Sequence, residues 1–336
     1  MTTTIAFATG DCLVVGCDSL ETSIRPALNL DSFVERYFDS DNKLKMNADG
    51  TPELSSLSDV VKYTHEIPIK SVPNVTKLYS FAPANCAALF AGAASIGDES
   101  VSNLVDRFLS NDEIATYFKE DYNVLGIADR LADFIGEPYQ QVYSRNGTVP
   151  EMEVIVAGYS HKESKPEIHI IMFTADGQQV IESKNAPGEP VIVFSGQASE
   201  IRRIMLGIDL KNTAQFTHYM ELYLAAYRIQ IKEHLKTNQE IEIELPFHAE
   251  FEELPEINTS WASGINSDIS NFSEQAAINL VDFLIDVMIK SQEFDSNMAT
   301  VGGDIHIGLM TKRSGFNWIS KENYSHRGHE VPKHTK

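Results

Sequence analysis

Threonine occupies positions 2, 3 and 4, and a hydroxyl at the start of a chain can carry two catalytic functions on one residue. An alkyl alcohol is almost never ionised at neutral pH, so a nucleophilic hydroxyl needs a base beside it. An α-amine, with a pKa of about 7.7–8.0, can accept that proton, whereas a lysine amine at about 10.4 is mostly protonated already. The small Thr2 side chain is compatible with removal of Met1, which would leave amine and hydroxyl together on Thr2. Such a residue still needs a carboxylate, a cation that biases the amine toward neutrality, and an N–H donor for an oxyanion. Asp18, Lys77 and Gly92 are the candidates for these three parts.

The elements that must position them are legible nearby. Thr3 to Ala8 is Thr-rich and apolar, Thr9-Gly10-Asp11 has turn chemistry, and Leu13 to Cys17 is a second apolar run, which together predict a β-hairpin. Closing the hairpin at that turn pairs positions whose numbers sum to about 20 or 21, which sets Asp18 or Ser19 opposite Thr2. Lys77 opens a strand predicted over 77–81, and a second strand is predicted over 86–90. Gly92 follows the apolar run Ala87 to Ala91, where a missing side chain lets a backbone N–H approach a substrate carbonyl. Each residue alone also has an ordinary structural reading: Thr2 to Thr4 as β-formers, Asp18 as a strand-end turn, Lys77 as a surface charge, Gly92 as a turn, Ser195 as the start of a helix cap.

Further along, Val101, Leu104, Val105, Phe108 and Leu109 share one helical face, and a second helix is predicted over 123–136. Strands follow at 152–159, 168–174 and 191–194, with Asp176-Gly177 as a turn signal. Helical pattern returns at 198–207 and 214–237. Acidic irregular sequence then runs to 272, and within it Glu240 to Glu244 alternates as a strand with a solvated acidic face. Ser273 is placed to cap a helix over 274–291, and 304–311 with 316–319 predicts a final hairpin. Residues 22–73 are polar and carry Pro26, Pro52, Pro68 and Pro73, as expected of a long insertion or flap. Residues 321–336 lack apolar periodicity and are expected to be a disordered tail. Strands at both ends with helices between them imply an α+β fold, a sandwich of sheets covered by helices.

Composition narrows the partners. Lys+Arg 27 against Asp+Glu 48 gives a net charge of −21, which disfavours nucleic acid or an anionic membrane as the main partner. No apolar run is long enough to span a membrane, and the amino terminus lacks the basic flank of a signal peptide. Cys12, Cys17 and Cys86 are too few for a disulfide framework or a zinc knuckle. A soluble, cytoplasmic protein is the expectation. No cofactor is signalled: there is no Gly-rich phosphate loop, no helical His pair and no Cys pair.

At these residues the chain resembles the proteasome-type (20S proteasome β-subunit-like) N-terminal nucleophile hydrolases, the threonine peptidases. The opening pattern is matched by Thr2, Thr3, Asp18, Ser19 and Thr22, and the later Lys and Gly pattern by Lys77 and Ala91-Gly92-Ala93-Ala94. Glu153 to Tyr159 is similar to that family's central strand, Phe194-Ser195-Gly196-Gln197-Ala198 to its Gly-Ser-Gly segment, and Val301-Gly302-Gly303-Asp304 to its late Gly-Gly turn. The resemblance implies a four-layer αββα sandwich in a single domain over 1–320, with insertions at about 23–73 and 209–272. It implies Thr2 as nucleophile and base, Asp18 and Lys77 as the charge pair tuning it, and Gly92 as the oxyanion donor. Ser195 would hold the amine and Thr22 would bind substrate through its backbone. It further implies peptide or unfolded-protein substrates, a homo-oligomer and an ATP-dependent unfoldase partner. Departures from the pattern are the long separation of Asp18 from Lys77, Leu20 and Glu21, and Met298 where an Asp is usual, with Asp295 or Asp304 as substitutes. Two alternatives stand beside the peptidase: a catalytically inactive structural or binding subunit, and an amidase for small non-peptide amides.

Overall fold

The two amino-terminal runs pair as β1 (Thr3–Ala8) and β2 (Leu13–Asp18), closed by a turn in which the Thr9 N–H donates to the Cys12 carbonyl. The computed structural model describes residues 2–47, 49–54, 59–60, 63–147, 149–206, 218–227, 229, 269–294, 299–321, 324–326 and 329–331. The chain divides into two units, Met1–Gln197 with Ser270–Lys336, and Ala198–Ile269.

In the first unit the chain continues through β3 (Glu21–Leu28), α1 (Leu30–Tyr37), β4 (Thr64–Val72), β5 (Leu78–Ser80) and β6 (Cys86–Gly92). Two-residue strands β7 (Ser95–Ile96) and β8 (Glu99–Ser100) lead into α2 (Val101–Leu109), α3 (Asp112–Tyr117) and α4 (Val124–Asn146). Then come β9 (Met152–Tyr159), β10 (Pro166–Phe173), β11 (Gln179–Ser183) and β12 (Val191–Gly196). The second unit, described by itself, holds α5 (Ser199–Leu206) and helical residues 218–227; most of it, including Glu240 to Glu244, lies outside the described residues. Back in the first unit are α6 (Glu274–Glu293), β13 (Ile305–Thr311) and β14 (Gly315–Ser320), then short paired strands β15 (Tyr324–His326) and β16 (His329–Val331). Residues 332–336 of the expected disordered tail lie outside the described residues.

Two antiparallel five-stranded sheets form the core, one in the order β12-β1-β2-β13-β14 and the other β11-β10-β9-β6-β5. Their facing sides are apolar at alternate positions: Ala6, Leu13 and Val15 of the first share one buried cluster with Leu89, Ile155 and Ala157 of the second. The other face of the second sheet buries Phe90, Val154 and Ile171 against Phe108 of α2 and Ile127 and Leu131 of α4. Helix α6 lies against β1, β2 and β13, and it comes so close to β2 that a Cβ on Gly16 would stand 2.7 Å from Val281 and 2.9 Å from Ile285. Its predicted cap is present, since the Ser273 hydroxyl accepts the Ala276 N–H.

Helix α4 departs from expectation. It does not stop near Gly136 and Pro138 but runs on to Asn146, where Gly147 takes a left-handed φ of 72°. Pro138 interrupts the helical hydrogen bonding, yet Tyr139 behind it is buried against Phe173 and donates to the Pro150 carbonyl. Residues 22–73, expected as a long insertion or flap, hold paired strands. Strands β3 and β4 pair from Glu21↔Val72 to Leu28↔Thr64, and Phe33, Tyr37 and Tyr63 form an edge-packed aromatic cluster at the far end.

Candidate active site

Hairpin register decides what lies beneath the first residues. Pairs run from Ala8↔Leu13 to Thr4↔Cys17, so the next pair outward is Thr3 with Asp18. The Asp18 Oδ1 accepts the Thr3 N–H at 2.9 Å. The carboxylate is thus one residue further in than a Thr2 pairing requires. It is wholly buried and accepts three further donors: Lys77 Nζ at 3.0 Å on Oδ1, and the N–H groups of Leu20 at 3.2 Å and Gly302 at 3.1 Å on Oδ2. A buried carboxylate is tolerated only with such partners, and four donors, one of them an ammonium, supply them.

Each partner is delivered by a different element. β13 pairs Ile305 with Asp18, bringing the Val301-Gly302-Gly303 turn over the carboxylate. Gly303 has a φ of 77°, and a Cβ there would lie 2.5 Å from the Ser19 hydroxyl, so glycine is required at this approach. Lys77, also buried, stands just before β5, its carbonyl accepting the Phe90 N–H at 3.0 Å. Besides Asp18 its ammonium donates to the Leu20 carbonyl, which accounts for two of its three donors.

The seat of Thr2 comes from the end of β12. The Gln197 N–H donates to the Thr2 carbonyl at 2.7 Å, and the Thr3 hydroxyl donates to the Gln197 carbonyl at 2.6 Å. Gly196, at φ 76°, lies so near that a Cβ would fall 2.0 Å from the Thr2 oxygen. Thr2 is only 5% exposed, it borders a cavity of about 780 Å³, and its hydroxyl has no hydrogen-bond partner among the described residues.

Of the residues singled out from sequence, Thr2, Thr22, Lys77 and Gly92 line this cavity, with Asp18 behind Lys77. Gly92 ends β6 with a φ of 94°, where a Cβ would meet the Glu151 carbonyl at 2.4 Å. Thr22 is fixed through its hydroxyl to Ser71 and to the Ala299 carbonyl. Ser195 stands apart from the cavity lining. It pairs with Thr4 across the sheet and its hydroxyl rests on the Glu153 carboxylate of β9. Sequence reasoning missed that use of Glu153, and it missed the backbone grip of Gln197 on Thr2. The Gly-Gln pair after Ser195 was the available signal for the second. Met298 and Asp295 lie outside the described residues.

Burial raises the Tyr79 hydroxyl in the cavity wall to about 12, so it stays neutral, donating to the Thr76 carbonyl and sharing a hydrogen bond with the Ser102 hydroxyl. Burial also pushes the Cys17 and Cys86 thiols up, which keeps them unreactive. Among the described residues no His, Cys, Asp and Glu cluster suited to a metal is found, and no helix is long and apolar enough to cross a membrane.

Comparison with known proteins corrects the family resemblance. No family model matches the chain, and no curated protein matches it. Solved structures it is similar to include the Anbu (Gly-1) mutant from Hyphomicrobium sp. strain MC1, at 12% identity and a TM-score of 0.43, covering 96% of this chain and 86% of that one. Another is Anbu (ancestral beta-subunit) from Yersinia bercovieri, at 10% identity and a TM-score of 0.41, covering 95% of this chain and 88% of that one. The chain is therefore not assigned to the 20S β-subunit-type threonine peptidases: these two neighbours are Anbu proteins, at a likeness too distant to lend this chain their properties.

Proposed function

We propose that this chain hydrolyses amide bonds with Thr2 as nucleophile once processing makes Thr2 the first residue. The observation that carries the reading is the buried Asp18–Lys77 pair, held under Thr3 and beside a cavity onto which an unpartnered Thr2 hydroxyl opens. The hydroxyl oxygen attacks the substrate carbonyl while its proton passes to the Thr2 α-amine, which then protonates the leaving amine. Water, activated by the same amine, cleaves the resulting ester and restores the hydroxyl. Lys77 biases the amine toward its neutral form, Asp18 fixes Lys77, and Gly92 offers its N–H to the oxyanion. Thr22 binds substrate through its backbone, and Ser195 acts as a positioning residue at the end of β12. The reading extends to a four-layer αββα sandwich, with α2 and α4 on one sheet and α6 on the other, and to peptides as substrates.

A catalytically inactive binding subunit is the second reading, favoured by the commitment of the Ser195 hydroxyl to Glu153. Intact-mass measurement and treatment with a peptide epoxyketone decide between them. The hydrolase is expected to begin at Thr2 and to gain one probe mass there. Retention of Met1 in the purified protein, or full peptide hydrolysis by Thr2→Ala, overturns it. Native mass on the same sample reports whether the chain self-assembles.

A further inference from the structure

Resting on the reading of Thr2 as nucleophile, we infer that the cavity beside it takes a cationic side chain, so that the substrates are amides flanked by a lysyl- or arginyl-type group. Among the described residues, three charged side chains belong to residues that line the cavity: Glu21, Lys77 and Glu151. The charge of Lys77 is already matched by Asp18 at 3.0 Å. Glu21, at the foot of β3, and Glu151, just before β9, have no ion-pair partner among the described residues. Glu21, half-buried, and Glu151, exposed, thus bring unmatched negative charge to the lining, and among the described residues no unmatched Lys, Arg or His lines it. The rest of the lining is mixed, with Val75, Phe90, Val101 and Val149 as its apolar part and serine and threonine residues beside them. That combination suits the long aliphatic stem and charged head of lysine or arginine better than a purely apolar side chain, and it repels an acidic one. Thr2, buried as a residue and lining the same space with an unpartnered hydroxyl, is the independent sign that a ligand belongs there.

The test uses the full chain, confirmed to begin at Thr2, and three fluorogenic peptides that differ only in arginine, leucine or glutamate before the scissile bond. Arginine is expected to exceed leucine in kcat/KM by about tenfold at low salt, with glutamate slowest, and the preference is expected to shrink as salt rises. Glu21→Gln and Glu151→Gln should each lower the arginine-to-leucine ratio several-fold, and Glu21→Lys with Glu151→Lys should move the preference toward glutamate. Equal rates for arginine and leucine, or a ratio unmoved by both Gln variants, overturns the inference. If no peptide is cleaved, the reading of Thr2 fails by itself, and calorimetry with an arginyl and a leucyl tripeptide amide decides the cavity. Tighter arginyl binding that is weakened by the Gln variants supports it, and equal or absent binding rejects it.

Discussion

Two largely buried clusters, each a carboxylate beside a basic side chain, sit in the same unit. Asp18–Lys77 is one. In the other, His169 on β10 stands 3.5 Å from Glu167 and 3.0 Å from the Ser183 hydroxyl, and Glu167 accepts from the Ser160 hydroxyl at 2.7 Å. Ser160 in turn accepts the Val124 N–H at the start of α4. Both clusters join elements far apart in sequence. The first borders the cavity lined by Thr2, a side chain able to do chemistry; none of the residues of the second lines that cavity. Burial, charge and hydrogen bonding therefore mark a place where the fold is fastened, and access is what makes such a place a candidate for catalysis.

The sharpest way to break this contrast is Thr2→Ala. Peptide hydrolysis is expected to fall by a factor on the order of 10³ or more, with an unchanged urea midpoint; retained turnover would leave the first cluster as fastening only. Lys77→Met strands the Asp18 carboxylate and should cost about 3–5 kcal/mol in urea unfolding, along with activity. Adding Asp18→Asn should return much of that stability and none of the activity. In the second cluster, Ser160→Ala removes both the donor to Glu167 and the acceptor for Val124, for a loss of about 1–3 kcal/mol with hydrolysis unchanged. The smallest effect concerns pH. Hydrogen bonding and charge from His169 hold the Glu167 carboxyl below its ordinary value of 4.5. The carboxyl therefore adds stability above that value, and this contribution is lost as pH falls below it toward the lower folded value. Glu167→Gln should flatten the acid limb of a stability–pH curve measured by urea unfolding, and an unaltered slope would separate Glu167 from His169.

What could be read in advance followed the range of the interactions. The β1–β2 hairpin was legible, and its register to within one position, because one turn, Thr9-Gly10-Asp11, sets every pair. The α6 cap was legible because Ser273 acts on an N–H three residues away. Strand β11 was missed: Gln179 to Ser183 is largely exposed at a sheet edge and lacks an apolar signature. The prolines of residues 22–73 marked an insertion or flap without announcing its strands, and β3 and β4 pair through a bulge next to Ile24. The end of α4 was misplaced because Gly136 and Pro138 are local signals, whereas the burial of Tyr139 that carries the helix past them is tertiary. In the site, Asp18 and Lys77 were legible as types. The contact of Ser195 with Glu153 joins two sheets, and no local pattern announces it.

The antiparallel pairing of β3 and β4 makes the 59 positions separating Asp18 from Lys77 a parenthesis in the chain. Because Glu21 stands opposite Val72, the strand that departs after the acid comes home beside the base, whatever is enclosed. Evolution or an engineer can lengthen, shorten or redecorate the excursion beyond that base pair without altering the span across which the two charges meet.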